Sequence, residues 1–207
     1  MKKVFDDYLN DRVKLEKWQI IGVSCLILVF SGIFGWIYEF IFYFFDSGMK
    51  RFTYQGGNFL PWINIYATGA FLIIFFTKKY KKSPLKIFLI SILVTGILEY
   101  LSGFVIYHLF DGLRLWNYNT EILNFGNIDG FICLRSVLFF GLSSLFLMYG
   151  MLPFCIYLST KMNRKIFITI SVSLCSLILL DEIYNLVIAR LFNLPRAYNF
   201  YSKLGIK

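Results

Sequence analysis

The chain runs to 207 residues with a formal charge of +9, and 58% of it is apolar against only 16% charged, where soluble domains hold about 45–50% and about 25%. Those proportions exclude a soluble globular domain and make the bilayer the solvent for most of the chain. They also exclude a nucleic-acid surface as the reason for the positive charge, because Lys and Arg sit in short runs at the ends of apolar segments rather than along a basic helix.

The predicted fold is an all-α polytopic membrane helix bundle of about five spans. Residues 1–17 form a charged leader. The apolar run behind it, Trp18 to Phe45, is far longer than the ~7–15 residues of a cleavable signal, so it is expected to stay as the first span. The second, Leu60 to Phe76, is the shortest and carries Pro61 at its mouth, which predicts a start inside the interface or a partly re-entrant segment. The third covers Ile87 to Phe110, between Ser83-Pro84 and Asp111-Gly112; the fourth covers Cys133 to Tyr157. The fifth, Ile166 to Phe192, is closed by Asn193-Leu194-Pro195, and residues 193–207 remain as a tail.

Short cationic loops stay in the cytoplasm. The leader, the second loop and the fourth loop together hold thirteen Lys and Arg, whereas the first loop, the third loop and the tail hold six. The N-terminus is therefore expected inside, with the tail and the long Asp111 to Ile132 loop outside.

An ionisable residue costs on the order of 2.5–3.5 kcal/mol at mid-bilayer. The spans carry six: Glu39, Glu99, Arg135, Asp181, Glu182 and Arg190. In this orientation all lie from the midplane outward, which predicts one polar site opening to the extracytoplasmic face. Helical spacing aligns Ser31, Gly35 and Glu39, and likewise Ser91, Thr95, Glu99 and Gly103. Small residues on these stripes let helices approach closely, so both glutamates are expected to face the bundle. Ser171, Cys175, Ile178, Glu182 and Asn185 form a comparable stripe. The candidate binding residues are Glu39, Glu99, Arg135 and Glu182, with Trp116, Asn117 and Asn127 of the long loop folding over them as a lid. Two plainer readings stand beside this one: Arg135 tethers Glu39 or Glu99 as a buried ion pair, and the loop merely anchors the third and fourth spans.

Cys25, Cys133, Cys155 and Cys175 form no C-x-x-C pair and read as small buried hydrophobes. His108, the only histidine, reads as an interfacial packing residue. The chain has no H-E-x-x-H, G-x-S-x-G or Walker P-loop, so neither a cofactor nor a catalytic residue is assigned, and any ATP must be bound by another chain.

One ordered set of residues is more specific. Gly35-Trp36-x-Tyr38-Glu39 comes first, then Gly56, Phe59, Pro61, Ile65-Tyr66 and Gly69, then Leu98-Glu99-Tyr100 and Trp116-x-Tyr118. Asn127-Ile128-x-Gly130-x-Ile132-Cys133-Leu134 and Gly141 complete it. From Gly32 to Pro153 the chain resembles the CmpB-like ABC-transporter type IV family of bacterial membrane proteins, with span five and the tail outside the likeness. It departs from the family pattern at Gln55, Asn117 and Phe131. The resemblance implies a permease-like subunit in a bacterial plasma membrane, with the lipid bilayer and a separate ATPase subunit or other membrane partner around it. An intramembrane enzyme using a buried glutamate as base, and a sensor or assembly partner using the polar stripe, are the alternatives.

Overall fold

A computed structural model describes residues 1–50 and 54–204. Arg51 and Lys207, which count toward the charge asymmetry, lie outside the described residues. The helices are α1 (Lys2–Leu9), α2 (Lys17–Asp46), α3 (Asn64–Thr77), α4 (Pro84–Leu109), α5 (Leu134–Phe146), α6 (Leu152–Lys161), α7 (Arg164–Ile183), α8 (Ala189–Leu191) and α9 (Ala197–Lys203). Two π-turns, Leu147–Met151 and Tyr184–Ile188, join α5 to α6 and α7 to α8 without ending the helix. The first directly precedes Leu152 and Pro153. Proline has no backbone N–H and its ring crowds the preceding turn, and a wider turn accommodates both.

Among the described residues, four helices are long and apolar enough to cross a membrane: Lys17–Asp46, Pro84–Leu109, Leu134–Lys161 and Arg164–Leu191. They match the first, third, fourth and fifth expected spans. The second differs. Its helix α3 has 14 residues and rises only ~21 Å at 1.5 Å per residue, short of the ~30 Å hydrocarbon core. The stretch ahead of it, around Pro61, is irregular.

The chain divides into two compact units. The first comprises Met1–Thr68 and Met151–Lys207. Its framework is α2 packed on α6 and α7. The buried residues of α2 include Gly22, Val23, Leu26, Val29, Ser31, Gly32 and Gly35, a stripe in which small residues admit large neighbours. A Cβ added at Gly22 would meet the Phe167 ring at 2.3 Å, at Gly32 the Trp62 indole at 2.0 Å, and at Gly35 the Tyr66 ring at 2.1 Å. The indole N–H of Trp62 donates to the Leu28 carbonyl at 3.0 Å, and the Ile63 N–H donates to the Gly32 carbonyl at 3.2 Å. Gln19, also buried, donates to the Ser159 carbonyl at 3.2 Å and ties α2 to α6. Gly32→Ala should therefore cost about 1–3 kcal/mol through overpacking against Trp62, read as a lower midpoint in thermal unfolding in detergent. Ser→Ala at the half-buried Ser202, whose hydroxyl bonds only the Asn199 carbonyl of its own short helix, should shift that midpoint far less.

The second unit, Gly69–Gly150, is built on α4 packed against α5. Its two faces invert the soluble pattern. Ile87, Ser91, Thr95, Gly96, Glu99 and Gly103 are buried, whereas Leu85, Leu89, Leu93, Ile97 and Leu101 are each more than half exposed. In hydrocarbon the large aliphatic side chains lose nothing by facing out, and small or hydroxyl-bearing residues serve helix contact. Among the described residues there is no strand, only the isolated antiparallel bridge between Ile128 and Ile132 in the α4–α5 loop.

Candidate functional site

In the second unit the stripe on α4 delivers Glu99 into a polar cluster. Glu99 is 4% exposed. Its Oε1 accepts a short hydrogen bond from the Tyr118 hydroxyl, and its Oε2 lies 2.7 Å from the Ser136 hydroxyl. Tyr118 comes from the α4–α5 loop and Ser136 from the first turn of α5, where the Cys133 N–H also reaches its oxygen in a long contact of 3.4 Å. Burial, and next the Glu99 charge, push the Tyr118 phenol well above its ordinary range, so it serves as a neutral donor. Arg135, one residue before Ser136, forms an ion pair: its Nη2 lies 2.6 Å from Glu121 Oε2, with both side chains largely buried. Its guanidinium also stacks 5.3 Å from the centre of the Tyr118 ring.

Arg135, read from the sequence as a tether for Glu39 or Glu99, forms its ion pair with Glu121 of the loop instead. Sequence reasoning passed over Glu121 because it sits in an irregular stretch outside every span. Ser136 escapes it as well, because it lies 37 residues from Glu99 in sequence with no periodic relation to it.

The loop is folded mainly by its own asparagines. Asn127 Nδ2 donates to Asn119 Oδ1 at 2.7 Å, and the Gly130 N–H donates to Asn127 Oδ1 at 2.8 Å. The Asn119 N–H donates to Asn117 Oδ1 at 3.2 Å, while Asn124 Nδ2 reaches the Tyr118 carbonyl at 2.9 Å. Gly130 has φ +76°, and a Cβ there would lie 2.5 Å from the Asn119 amide nitrogen, so both its backbone and the crowding require glycine. The Trp116 indole donates to the Phe131 carbonyl at 2.9 Å, and its ring abuts Gly103 of α4. The Arg114 guanidinium sits 4.6 Å from the centres of both the Tyr107 and Phe131 rings and donates to the Asp129 carbonyl at 2.8 Å. Trp116, Asn117 and Asn127 thus shape the loop, and Tyr118 is the loop residue that hydrogen-bonds the carboxylate.

The first unit has its own carboxylate cluster, at the end of α7. Glu182 accepts from Asn58 Nδ2 at 2.5 Å and from Asn64 Nδ2 at 2.8 Å. Asp181 accepts from the backbone N–H groups of Phe59 at 3.1 Å and Leu60 at 2.6 Å, and from Asn185 at 2.7 Å. The Phe59 carbonyl takes the Tyr201 hydroxyl at 2.8 Å, and the Asn58 carbonyl takes the Tyr54 hydroxyl at 2.6 Å. Burial, and next the neighbouring Tyr201 and Asp181, raise the Tyr54 phenol above its usual range. Asp181 satisfies backbone N–H groups of the irregular approach to α3, and Glu182 holds the side-chain amides of Asn58 and Asn64 on either side of it. The tail is drawn in too, since the Ala197 N–H donates to Asn185 Oδ1 at 2.8 Å and Tyr54 stacks 4.7 Å from Tyr201. Glu39 is half-buried on α2 and engaged with neighbours. Of the expected site residues, then, Glu99, Arg135, Trp116, Asn117 and Asn127 belong to one unit and Glu39 and Glu182 to the other.

Asp181→Ala removes the acceptor of two backbone donors. It should cost about 1–2 kcal/mol and raise protease sensitivity within residues 54–63, measured by limited proteolysis and mass spectrometry. An unchanged digestion pattern would show that the acid does not hold that stretch.

Comparison with curated proteins and with solved structures gives no match. A family model does match, under the description "Putative ABC-transporter type IV", over residues 26–186. The match runs beyond Gly32 to Pro153 at both ends and takes in most of the last long helix with Asp181 and Glu182. With four membrane-length helices among its described residues and a family match over most of its length, the chain is a polytopic membrane protein of the CmpB-like ABC-transporter type IV family, a permease-type family.

Proposed function

We propose that this protein is the membrane subunit of a transporter, that Glu99 is the centre of its binding site for a small polar solute, and that the site opens to the extracytoplasmic face. The observation that carries the reading is the state of Glu99: a carboxylate buried in an apolar helix, whose partners are two neutral hydroxyls while the nearest cation is already paired with Glu121. A purely structural glutamate would be expected to take Arg135 for itself, because an unneutralised buried charge is expensive. Tyr118 acts as the roof and Arg135, held by Glu121, supports the roof from below its ring. Energy comes from a separate ATPase subunit, since the chain has no P-loop of its own. The cationic leader and the second and fourth loops lie in the cytoplasm, and the α4–α5 loop lies outside.

Two measurements test this reading. Intact cells carrying a single reporter cysteine should be labelled by an impermeant reagent at Asn119 and not at Ser83; the reverse pattern contradicts the orientation. A thermal-shift screen of the purified protein against small cationic and neutral polar solutes should give ligands whose effect disappears in Glu99→Gln. Ligands that stabilise both proteins equally would place the binding site elsewhere.

A further inference from the structure

The hydrogens of the Glu99 cluster can be counted. Glu99 Oε2 is 2.7 Å from the Ser136 hydroxyl oxygen, and that oxygen is 2.8 Å from the Cys133 carbonyl oxygen. A serine has one hydroxyl hydrogen and two lone pairs, so it donates to one of these acceptors at a time. With Glu99 ionised, Ser136 donates to Oε2, and the Cys133 carbonyl keeps its helix bond from the Val137 N–H at 3.3 Å. With Glu99 protonated, the acid donates from Oε2 to Ser136, which turns its hydrogen onto the Cys133 carbonyl. One set of heavy-atom positions therefore satisfies both protonation states. Tyr118 donates to Oε1 in either of them.

The charge count points the same way. The groups that face Glu99 are Tyr118 and Glu121 from the loop and Ser136 and Arg135 from α5. With Arg135 paired to Glu121, the ionised cluster carries one excess negative charge in a buried setting, and one proton removes it.

We propose that Glu99 is a proton-exchange site, taking up a proton at Oε2 and releasing it again, with the Ser136 hydroxyl as the rotor that makes both states stable and Tyr118 as the cover. Uptake forms one O–H bond at Oε2 and breaks one in a hydronium ion, leaving water. The only other change is a rotation about the Ser136 Cβ–Oγ bond. The proposal goes beyond solute binding, although it uses the same side chains, and it gives the site a second ligand, the proton.

The test is pH-difference infrared spectroscopy of the full-length protein in liposomes, without solute. The expected result is a protonated-carboxyl C=O band that appears as pH falls and vanishes in Glu99→Gln. In Ser136→Ala the band should move to higher wavenumber, because the acid has lost its acceptor. Should Glu99→Gln fail to fold, isotope-labelled glutamate assigns the band to glutamate and Ser136→Ala assigns it to Glu99. A spectrum with no such band, or a band that Ser136→Ala leaves in place, overturns the proposal. A titrating band in a protein that no solute stabilises keeps the proton site and removes the solute site. Glu99-dependent solute binding without the band removes the proton site alone.

Discussion

Arg135→Met should destabilise the protein by about 3–5 kcal/mol, the cost of leaving one member of a buried ion pair without its partner. The stranded group is Glu121, 9% exposed, whose Oε2 lies 2.6 Å from the Arg135 guanidinium. The guanidinium also lies against the face of the Tyr118 ring, so its loss should loosen the hold of Tyr118 on Glu99 as well. The pair can be separated from the packing by a double-mutant cycle. Arg135→Met with Glu121→Leu should recover most of the lost stability, since a buried pair replaced by apolar residues of similar volume is often neutral. Equal and additive losses in the two single variants would show that the residues do not act as a pair.

Glu99→Leu should abolish solute binding and lower stability by about 2 kcal/mol, because the Tyr118 hydroxyl would be left buried without an acceptor. Ser136 suffers less, as it can turn to the Cys133 carbonyl. Glu99→Gln separates the two effects: its amide oxygen still accepts from Tyr118, so the fold should hold while binding is lost. Thermal unfolding in detergent, with and without a solute identified by screening, reads both quantities. A Leu variant that is as stable as the parent and still binds solute would mean that Glu99 contributes to neither.

The interior faces of the long helices were legible from the sequence alone. Ser91, Thr95, Glu99 and Gly103 recur every four residues, and all are buried; on α7 Ser171, Cys175 and Ile178 are buried as well, whereas Glu182 of the same stripe is only half-buried. The reason is that helical periodicity is a local property, fixed by 3.6 residues per turn. The start of α3 was not legible in the same way. Hydropathy from Leu60 onward suggests a span, yet the residues before Asn64 are held in irregular form by Asp181 and Glu182, more than a hundred positions away in sequence. The loop partners of the site were hidden for a related reason. Trp116, Asn117 and Asn127 were conspicuous as polar or amphipathic residues above a helix end, whereas the contacts to Glu99 and Arg135 are made by Tyr118 and Glu121. No spacing rule distinguishes these from their neighbours in a loop folded by side-chain amides. The two π-turns fall in this class too, since each widens a helix without breaking its apolar pattern.

The claim that joins fold to function is that the Glu99 site opens to the extracytoplasmic face beneath Tyr118. It is tested most directly by side-specific labelling of Glu99→Cys in a background where the four native cysteines are replaced by alanine or serine. A membrane-impermeant cationic thiol reagent added outside intact cells should label this cysteine slowly, and at least about tenfold faster when Tyr118→Ala removes the roof, a factor worth about 1.4 kcal/mol of opening free energy. Added to inside-out vesicles, the same reagent should leave it unlabelled. Labelling from the cytoplasmic side alone, or a rate that Tyr118→Ala leaves unchanged, would contradict the account.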